Sequence, residues 1–478
     1  MQAFVSARTG PRWPWLLIAA LVVLGLARFF LFTAQSPTLG YPNNFDFLRT
    51  SGCVGIWNFD AQSEHFHSPA PDRVVPTLHY NNEKVWAYCN PGTEVLLLSS
   101  LKLWHSIGDE FPIQQLAYTK LAVVLVFLAA LLLAVTSMRL RVFLSACFVL
   151  LLWDFSTLLY FQSLYPVFSS LFFALFLAVT LLACRLEAFS AKAGASALLL
   201  ALVFMLGFSN QQYFFLAIVL VALFVLFNGR RYRLHSAALL AGIVLVSLTQ
   251  LALRPAESKD FFAAIDRVNR TDLVFYGVMM YSDDPKEVAR IVGLPEACAQ
   301  FSGVSAHMFN AQRVNTCPEV AQVSRVKLLH LALAQPTTIG KTMLAALDDY
   351  QSVYAFIKYT FFQHPSELAP GFYASSPSTL MEAAPRSIYR ATVAVMALLA
   401  AVAFVYSLTA RGRRSLAANA SWLGGLLCFY SIFSSVFGDG MVEVERHAAV
   451  FLTGFIMLWA GVVFALLPRR CKTCGVQA

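Results

Sequence analysis

The sequence predicts an all-α polytopic membrane protein with about ten transmembrane helices, and three observations carry that expectation. The 478 residues are 58% apolar and 13% charged, with 41 phenylalanines, a composition too oily for a soluble enzyme of this length. Apolar runs of spanning length begin near Trp13, Ala117, Val142, Leu164, Ala193, Tyr213, Ser236, Ser387, Ala417 and Ala448. The basic residues fall on alternate connections: Arg8 and Arg12, Arg139 and Arg141, Arg185 and Lys192, Arg230 to Arg233, Arg411 to Arg414, and Arg469 to Lys472. The positive-inside rule then puts both termini in the cytoplasm, which requires an even number of spans.

Taken in order, 1–32 reads as a cytoplasmic N-terminus and first helix. That helix resembles a signal peptide at its start, but its apolar run is long, Arg28 interrupts it and no small-residue cleavage site follows, so it is expected to be a retained anchor. Residues 33–116 form a first external loop, 117–253 hold helices two to seven, 254–386 an external, mainly helical cap, 387–468 helices eight to ten, and 469–478 a cytoplasmic tail. Stretch 142–228 is almost continuously apolar, punctuated by Tyr165-Pro166, Arg185 to Lys192 and Ser209 to Gln212. The formal charge of +9 reads as topology signal, with membrane lipids and no nucleic acid as the implied surroundings.

Within the external segments, Ser36-Pro37 to Tyr41-Pro42 stops the first helix and sets Asn44 and Asp46 near headgroup depth. Leu78 to Tyr88 interleaves aromatic and polar residues, as suits a segment lying on the bilayer surface or an ordinary loop. Ser282-Asp-Asp-Pro starts a helix carrying Val288 and Ile291, which Gly293-Leu-Pro295 stops; helical patterns return at 320–334 and 339–362. Asp348 and Asp349 read as surface residues. Cys53, Cys89, Cys298 and Cys317 fall two to each segment, so Cys53–Cys89 and Cys298–Cys317 disulfides are the expectation and free thiols the alternative. Cys147, Cys184 and Cys428 read as packing residues, and Cys471-x-x-Cys474 as a reduced tail lacking a second pair to complete a zinc site.

Polar residues at membrane depth mark candidate sites, because an ionisable group there costs about 2.5–3.5 kcal/mol on insertion scales. Asp154 is expected near the outer end of the third helix, either lining an outward cavity with the Tyr160 to Tyr165 stretch or satisfied by backbone amides and Ser156. Asn210 to Gln212 reads as a tight turn. In Gly438-Asp-Gly-Met-Val-Glu-Val-Glu-Arg-His447, a helix entering the membrane from Met441 would put Glu443, Arg446 and His447 on one face, with Asp439 joining and Glu445 pointing to solvent. Gly438 and Gly440 would let the backbone approach a phosphate. The chain has no glycine-rich phosphate loop, G-x-S-x-G, H-E-x-x-H or internal repeat, which argues against ATP-driven chemistry.

The order of Asp46, Tyr160-Phe-Gln-Ser-Leu-Tyr165, Val274-Phe-Tyr-Gly-Val with Asp283-Asp-Pro and Gly293-Leu-Pro295, and Gly438-Asp-Gly to His447 resembles the glycosyltransferase-C superfamily, and within it bacterial glycan biosynthesis hexose transferases. The resemblance implies transfer of a sugar from a polyprenyl-phosphate donor to an acceptor hydroxyl on a glycan, lipid or protein at the outer face of the membrane, with inversion. It implies Asp46 as general base, Arg446, His447 and Arg49 on the donor phosphate, and Asn44, Asp154, Tyr165, Asp439 and Glu443 toward substrate. No cofactor is implied; Asp46 stands alone where the family pattern has an acidic pair, and Pro166-Val-Phe replaces an expected acid, so a divalent metal is not indicated. A lipid-linked glycan flippase would also need polar residues in a bundle, but two bulky external segments and few midplane groups argue against it. A ligase moving a preassembled glycan is the nearer neighbour.

Overall fold

A computed structural model describes residues 13–41, 47–57, 74, 76–306, 317–355 and 365–467. Asn44, Asp46, the Cys471 to Cys474 tail and the end of the expected 339–362 helix lie outside the described residues. Each of the ten apolar segments contains a helix, but they are not ten equal spans. Seven are long and apolar enough to cross a membrane: Trp13–Thr33, Gln114–Ala134, Phe168–Arg185, Gln211–Asn228, Arg233–Leu253, Arg386–Ser407 and Leu416–Asp439. An eighth is broken, Met138–Trp153 meeting Phe155–Phe161 at 79°. Ala193–Gly207 and Val450–Leu466 have 15 and 17 residues. At about 1.5 Å per residue they reach roughly 22 and 25 Å, short of a hydrocarbon core of about 30 Å.

Hydrophobicity all round a helix means burial on every side. Phe168–Arg185 has that pattern, and all but its terminal Arg185 is buried. Around it pack Gln114–Ala134, Met138–Trp153, Ala193–Gly207, Gln211–Asn228, Leu416–Asp439 and Val450–Leu466. Trp13–Thr33, Arg233–Leu253 and Arg386–Ser407 form the periphery, where leucines and valines on their outer faces are left for lipid. Leu416–Asp439 and Val450–Leu466 approach so closely that a Cβ on Gly424 would lie 2.6 Å from the Gly454 carbonyl. Such small-residue contacts let helix backbones touch, and here they fix the turn joining the last two helices.

The first long connection is not a surface-lying segment at Leu78. Strands β1 (Ile56–Trp57), β2 (Thr77–Tyr80) and β3 (Glu110–Pro112) form an antiparallel sheet in that order, with Leu78 opposite Phe111 and fully buried. The helix Phe47–Val54 precedes it and is tied to the rest of the connection by a Cys53–Cys89 disulfide. The second long connection has its own core of Leu273, Val274, Phe275, Val288, Val292 and Leu331 beside the Cys298–Cys317 disulfide. Its helix Pro285–Val292 starts where Asp284 accepts from the backbone N–H of Lys286 and Glu287, and stops at Gly293, whose φ of 76° is left-handed. Cys147, Cys184 and Cys428 are free and buried.

Asp154 breaks the third span. Its Oδ1 accepts from the Thr157 N–H at 3.2 Å as the N-cap of Phe155–Phe161 and from Ser156 Oγ, while Oδ2 accepts from Ser376 Oγ and the Ser378 N–H, both at 2.8 Å. Arg28, one helix away, donates from Nε to Trp153 O at 2.7 Å, to Ser375 Oγ at 3.0 Å and to Phe372 O at 2.8 Å. The two charges therefore latch the 372–378 segment onto the membrane domain. Beside Arg28 lies a cavity of about 430 Å³, between the first helix and 368–372.

Candidate active site

The last interhelical turn is built by three constraints. Gly440 ends Leu416–Asp439 at φ 70°, and a Cβ there would lie 2.5 Å from the Asp272 carbonyl. Asp272 opens a π-helix, Asp272–Val278, that packs on this turn. Gly440 is thus demanded by backbone contact between the second connection and the turn, a correction to its expected role beside a phosphate; Gly438 does have open space around its Cα. Gly440→Ala is expected to lower stability by at least about 1–3 kcal/mol, read as a fall in thermal midpoint of the purified protein. An unchanged midpoint would rule out this close contact.

Second, Glu443 takes a left-handed conformation, φ 49° and ψ 45°, uncommon for a residue with a side chain. Third, the carbonyl of His447 accepts from Gln212 Nε2 at 2.9 Å and from the Tyr213 hydroxyl at 3.4 Å, and that of Ala448 from Ser431 Oγ at 2.7 Å. Gln212, expected only to mark a turn, holds the candidate site's backbone.

So fixed, the turn forms a chain of charges: Glu443 pairs with Arg446, Arg446 Nη2 meets His447 Nε2 at 3.1 Å, and His447 Nδ1 meets Asp439 Oδ2 at 3.1 Å. The helix there is one turn, Val444–His447, rather than the start of the last span. The guanidinium of Arg446 lies 5.3 Å from the ring centre of Tyr165. That ring also meets Tyr41 at 5.9 Å and Phe47 at 4.9 Å. Tyr41 and Phe47 are the described residues that bound 42–46. The exit of the first helix and the final turn thus converge on one aromatic platform.

Two expected substrate contacts are corrected. Tyr165 is fully buried, so it supports Arg446 instead of touching a substrate. Asp154 is fully buried with both oxygens engaged in the helix break and the 376–378 segment, leaving it no face for a ligand. Arg49 is half-buried on Phe47–Val54, two positions beyond Phe47. Asp439 and Glu443 remain partly exposed and orient the two cations. Asp348 pairs with Arg390, as a surface residue would.

Glu445 is also not where its spacing put it. After the left-handed turn at Glu443 it is only partly exposed and lines a small, partly open pocket with Tyr41, Ser156, Tyr160 and Tyr350. Burial, with Glu443 adding repulsion and Arg446 opposing, pushes its carboxyl up to about 7. Beneath the platform a second missed feature appears: Lys120 Nζ donates to the carbonyls of Tyr160 at 2.9 Å and Ser163 at 2.7 Å and lies 3.2 Å from Glu94 Oε2. Glu94 Oε1 accepts from the Ser169 N–H and hydroxyl at 3.0 and 2.7 Å. This buried pair holds the 160–169 stretch that carries Tyr165.

Fold and site together define an integral membrane protein of apolar helices, with a polar Arg–His–carboxylate turn set against an aromatic platform. The sequence model of the YfdI N-terminal transmembrane domain matches residues 8–472, and the chain belongs to that family. No curated protein and no solved structure matches it.

Proposed function

We propose that the chain is a membrane glycosyltransferase of the glycosyltransferase-C kind, taking a sugar from a polyprenyl-phosphate donor and passing it to an acceptor hydroxyl on a glycan, lipid or protein at the outer face of the membrane. The observation that carries this reading is the meeting of Tyr41, Phe47 and Arg446 at Tyr165. Arg446 and His447 bind the donor phosphodiester, and their hydrogen bonds strengthen as charge grows on the departing phosphate. Glu443 and Asp439 aim them. Asp46, in the segment bounded by Tyr41 and Phe47, takes the acceptor's proton as its oxygen attacks the anomeric carbon in line with the leaving phosphate, so configuration inverts.

Protein purified into lipid nanodiscs with a polyprenyl-phosphate hexose and a glycan acceptor should release free polyprenyl phosphate as one sugar is added to each acceptor. Transfer of a whole preassembled glycan instead would identify a ligase. Donor that stays intact with every hexose and acceptor tried would overturn the proposal.

A further inference from the structure

Arg28 lies on a spanning helix, about 7 Å inside its Thr33 end, and is 6% exposed. Its guanidinium is held between two rings, 4.5 Å from the centre of Trp153 and 4.8 Å from that of Phe372. The bonds to Trp153 O, Ser375 Oγ and Phe372 O use one N–H on each of its nitrogens, which leaves one N–H on each Nη uncommitted. Among the described residues no carboxylate pairs with it at ion-pair distance. Asp154 attracts it from farther away, and both Asp154 oxygens are already engaged by Ser156, Thr157, Ser376 and Ser378.

The cavity beside Arg28, about 430 Å³, has the size of a ligand pocket, for which about 300–1,000 Å³ is usual. One wall is a single face of the first helix, Leu24, Ala27, Arg28 and Leu31, spaced by three and four residues; the other is 368–372. Leu24, Ala27 and Leu31 are exposed residues of a spanning helix, so the cavity opens sideways onto the bilayer. Its polarity is graded along that helix. Gln35, past the helix end, and Arg28 are polar, whereas Ala27 and Leu24 lie deeper and are apolar. A polar end at the membrane surface and an apolar end in the hydrocarbon match a lipid, not a water-soluble anion.

We propose that this cavity is a binding site for one glycerophospholipid, with its phosphodiester on the uncommitted Nη hydrogens of Arg28 and an acyl chain along Ala27 and Leu24. A guanidinium makes charge-assisted hydrogen bonds to phosphate, and a long arginine side chain reaches toward headgroups from within a span. The site is separate from the transfer reaction: the donor site proposed at Arg446 and His447 shares no residue with the cavity. Phospholipid is the bulk component of the bilayer onto which the cavity opens, so mass action favours it over a scarce carrier lipid. The remaining bonds of Arg28 hold Phe372 and Ser375, so the bound lipid would complete the latch between the first helix and the second long connection.

Native mass spectrometry of the full chain tests this, after reconstitution in nanodiscs of phosphatidylethanolamine and phosphatidylglycerol and release into detergent. The wild type should keep one phospholipid. Gly371 lines the cavity, and a Cβ there meets no atom within 4 Å, so Gly371→Leu fills the space and leaves the bonds of Arg28 in place. Gly371→Leu, and Ala27→Trp from the opposite wall, are each expected to lower phospholipid retention roughly tenfold. Arg28→Gln should lose the lipid and lower the thermal midpoint as well, because it also opens the latch; the two filling variants separate these effects. Retention equal to the wild type in either filling variant, or a wild type that keeps no phospholipid, overturns the proposal. Displacement of the retained phospholipid by an equimolar polyprenyl-phosphate hexose would assign the cavity to the carrier lipid and overturn it too. None of these readouts depends on glycosyl transfer, so a chain inactive with every donor would leave this inference standing.

Discussion

Arg446→Ala is expected to weaken donor binding roughly 30- to 700-fold, about 2–4 kcal/mol, while Asp46→Asn leaves binding intact and lowers turnover about 10²–10⁴-fold. The two variants separate because the proposal gives the residues different moments. Arg446 touches the phosphate before and during transfer, so its loss appears in ground-state binding as well as rate; a base acts only while the proton moves. Arg446 also neutralises Glu443, whose strained backbone places it opposite the guanidinium. Deleting the cation therefore leaves an unmatched carboxylate, which alone repels the donor. Arg446→Ala with Glu443→Gln removes that repulsion without restoring a phosphate ligand. Donor affinity that recovers in the double variant would show that Arg446 acts only through charge balance, and normal turnover in Asp46→Asn would remove the base assignment. Lysine at 446 is expected to recover little, since a point charge replaces a planar group aligned over Tyr165.

What the sequence made legible is what local chemistry decides. Apolar length gave the helices, Asp284-Pro285 and Gly293 bounded a helix by capping and φ, and the spacing of Glu443 and Arg446 brought a pair together. What escaped depends on partners far along the chain. The 79° bend at Asp154 is capped locally through Ser156 and the Thr157 N–H, but its other oxygen is held by Ser376 and Ser378, more than two hundred residues away. Strand Thr77–Tyr80 is four residues long and becomes a strand by pairing with Glu110–Pro112. Glu445 was read on a continuous helix, and one left-handed residue ahead of it leaves only the single turn Val444–His447 there. Short strands, helix breaks and single unusual φ angles lack the periodicity that a sequence pattern records.

Lys120→Met is expected to be the most destabilising single change in the membrane domain, by about 3–5 kcal/mol, because it leaves a buried carboxylate without its cation. Lys120 has no exposure and Glu94 is 3% exposed, so no water replaces the lost partner. The carbonyls of Tyr160 and Ser163 lose their donor at the same time. Those carbonyls belong to the stretch that ends in Tyr165, so the platform beneath Arg446 loosens and donor affinity should fall together with the thermal midpoint. Adding Glu94→Gln removes the orphaned charge while keeping an acceptor for Ser169, and the double variant is expected to regain a large share of the lost midpoint. A Lys120→Met protein as stable as the wild type would mean that the ammonium contributes nothing net. A double variant less stable than Lys120→Met would mean that Glu94 serves the 160–169 stretch through its bonds to Ser169 rather than through the ion pair.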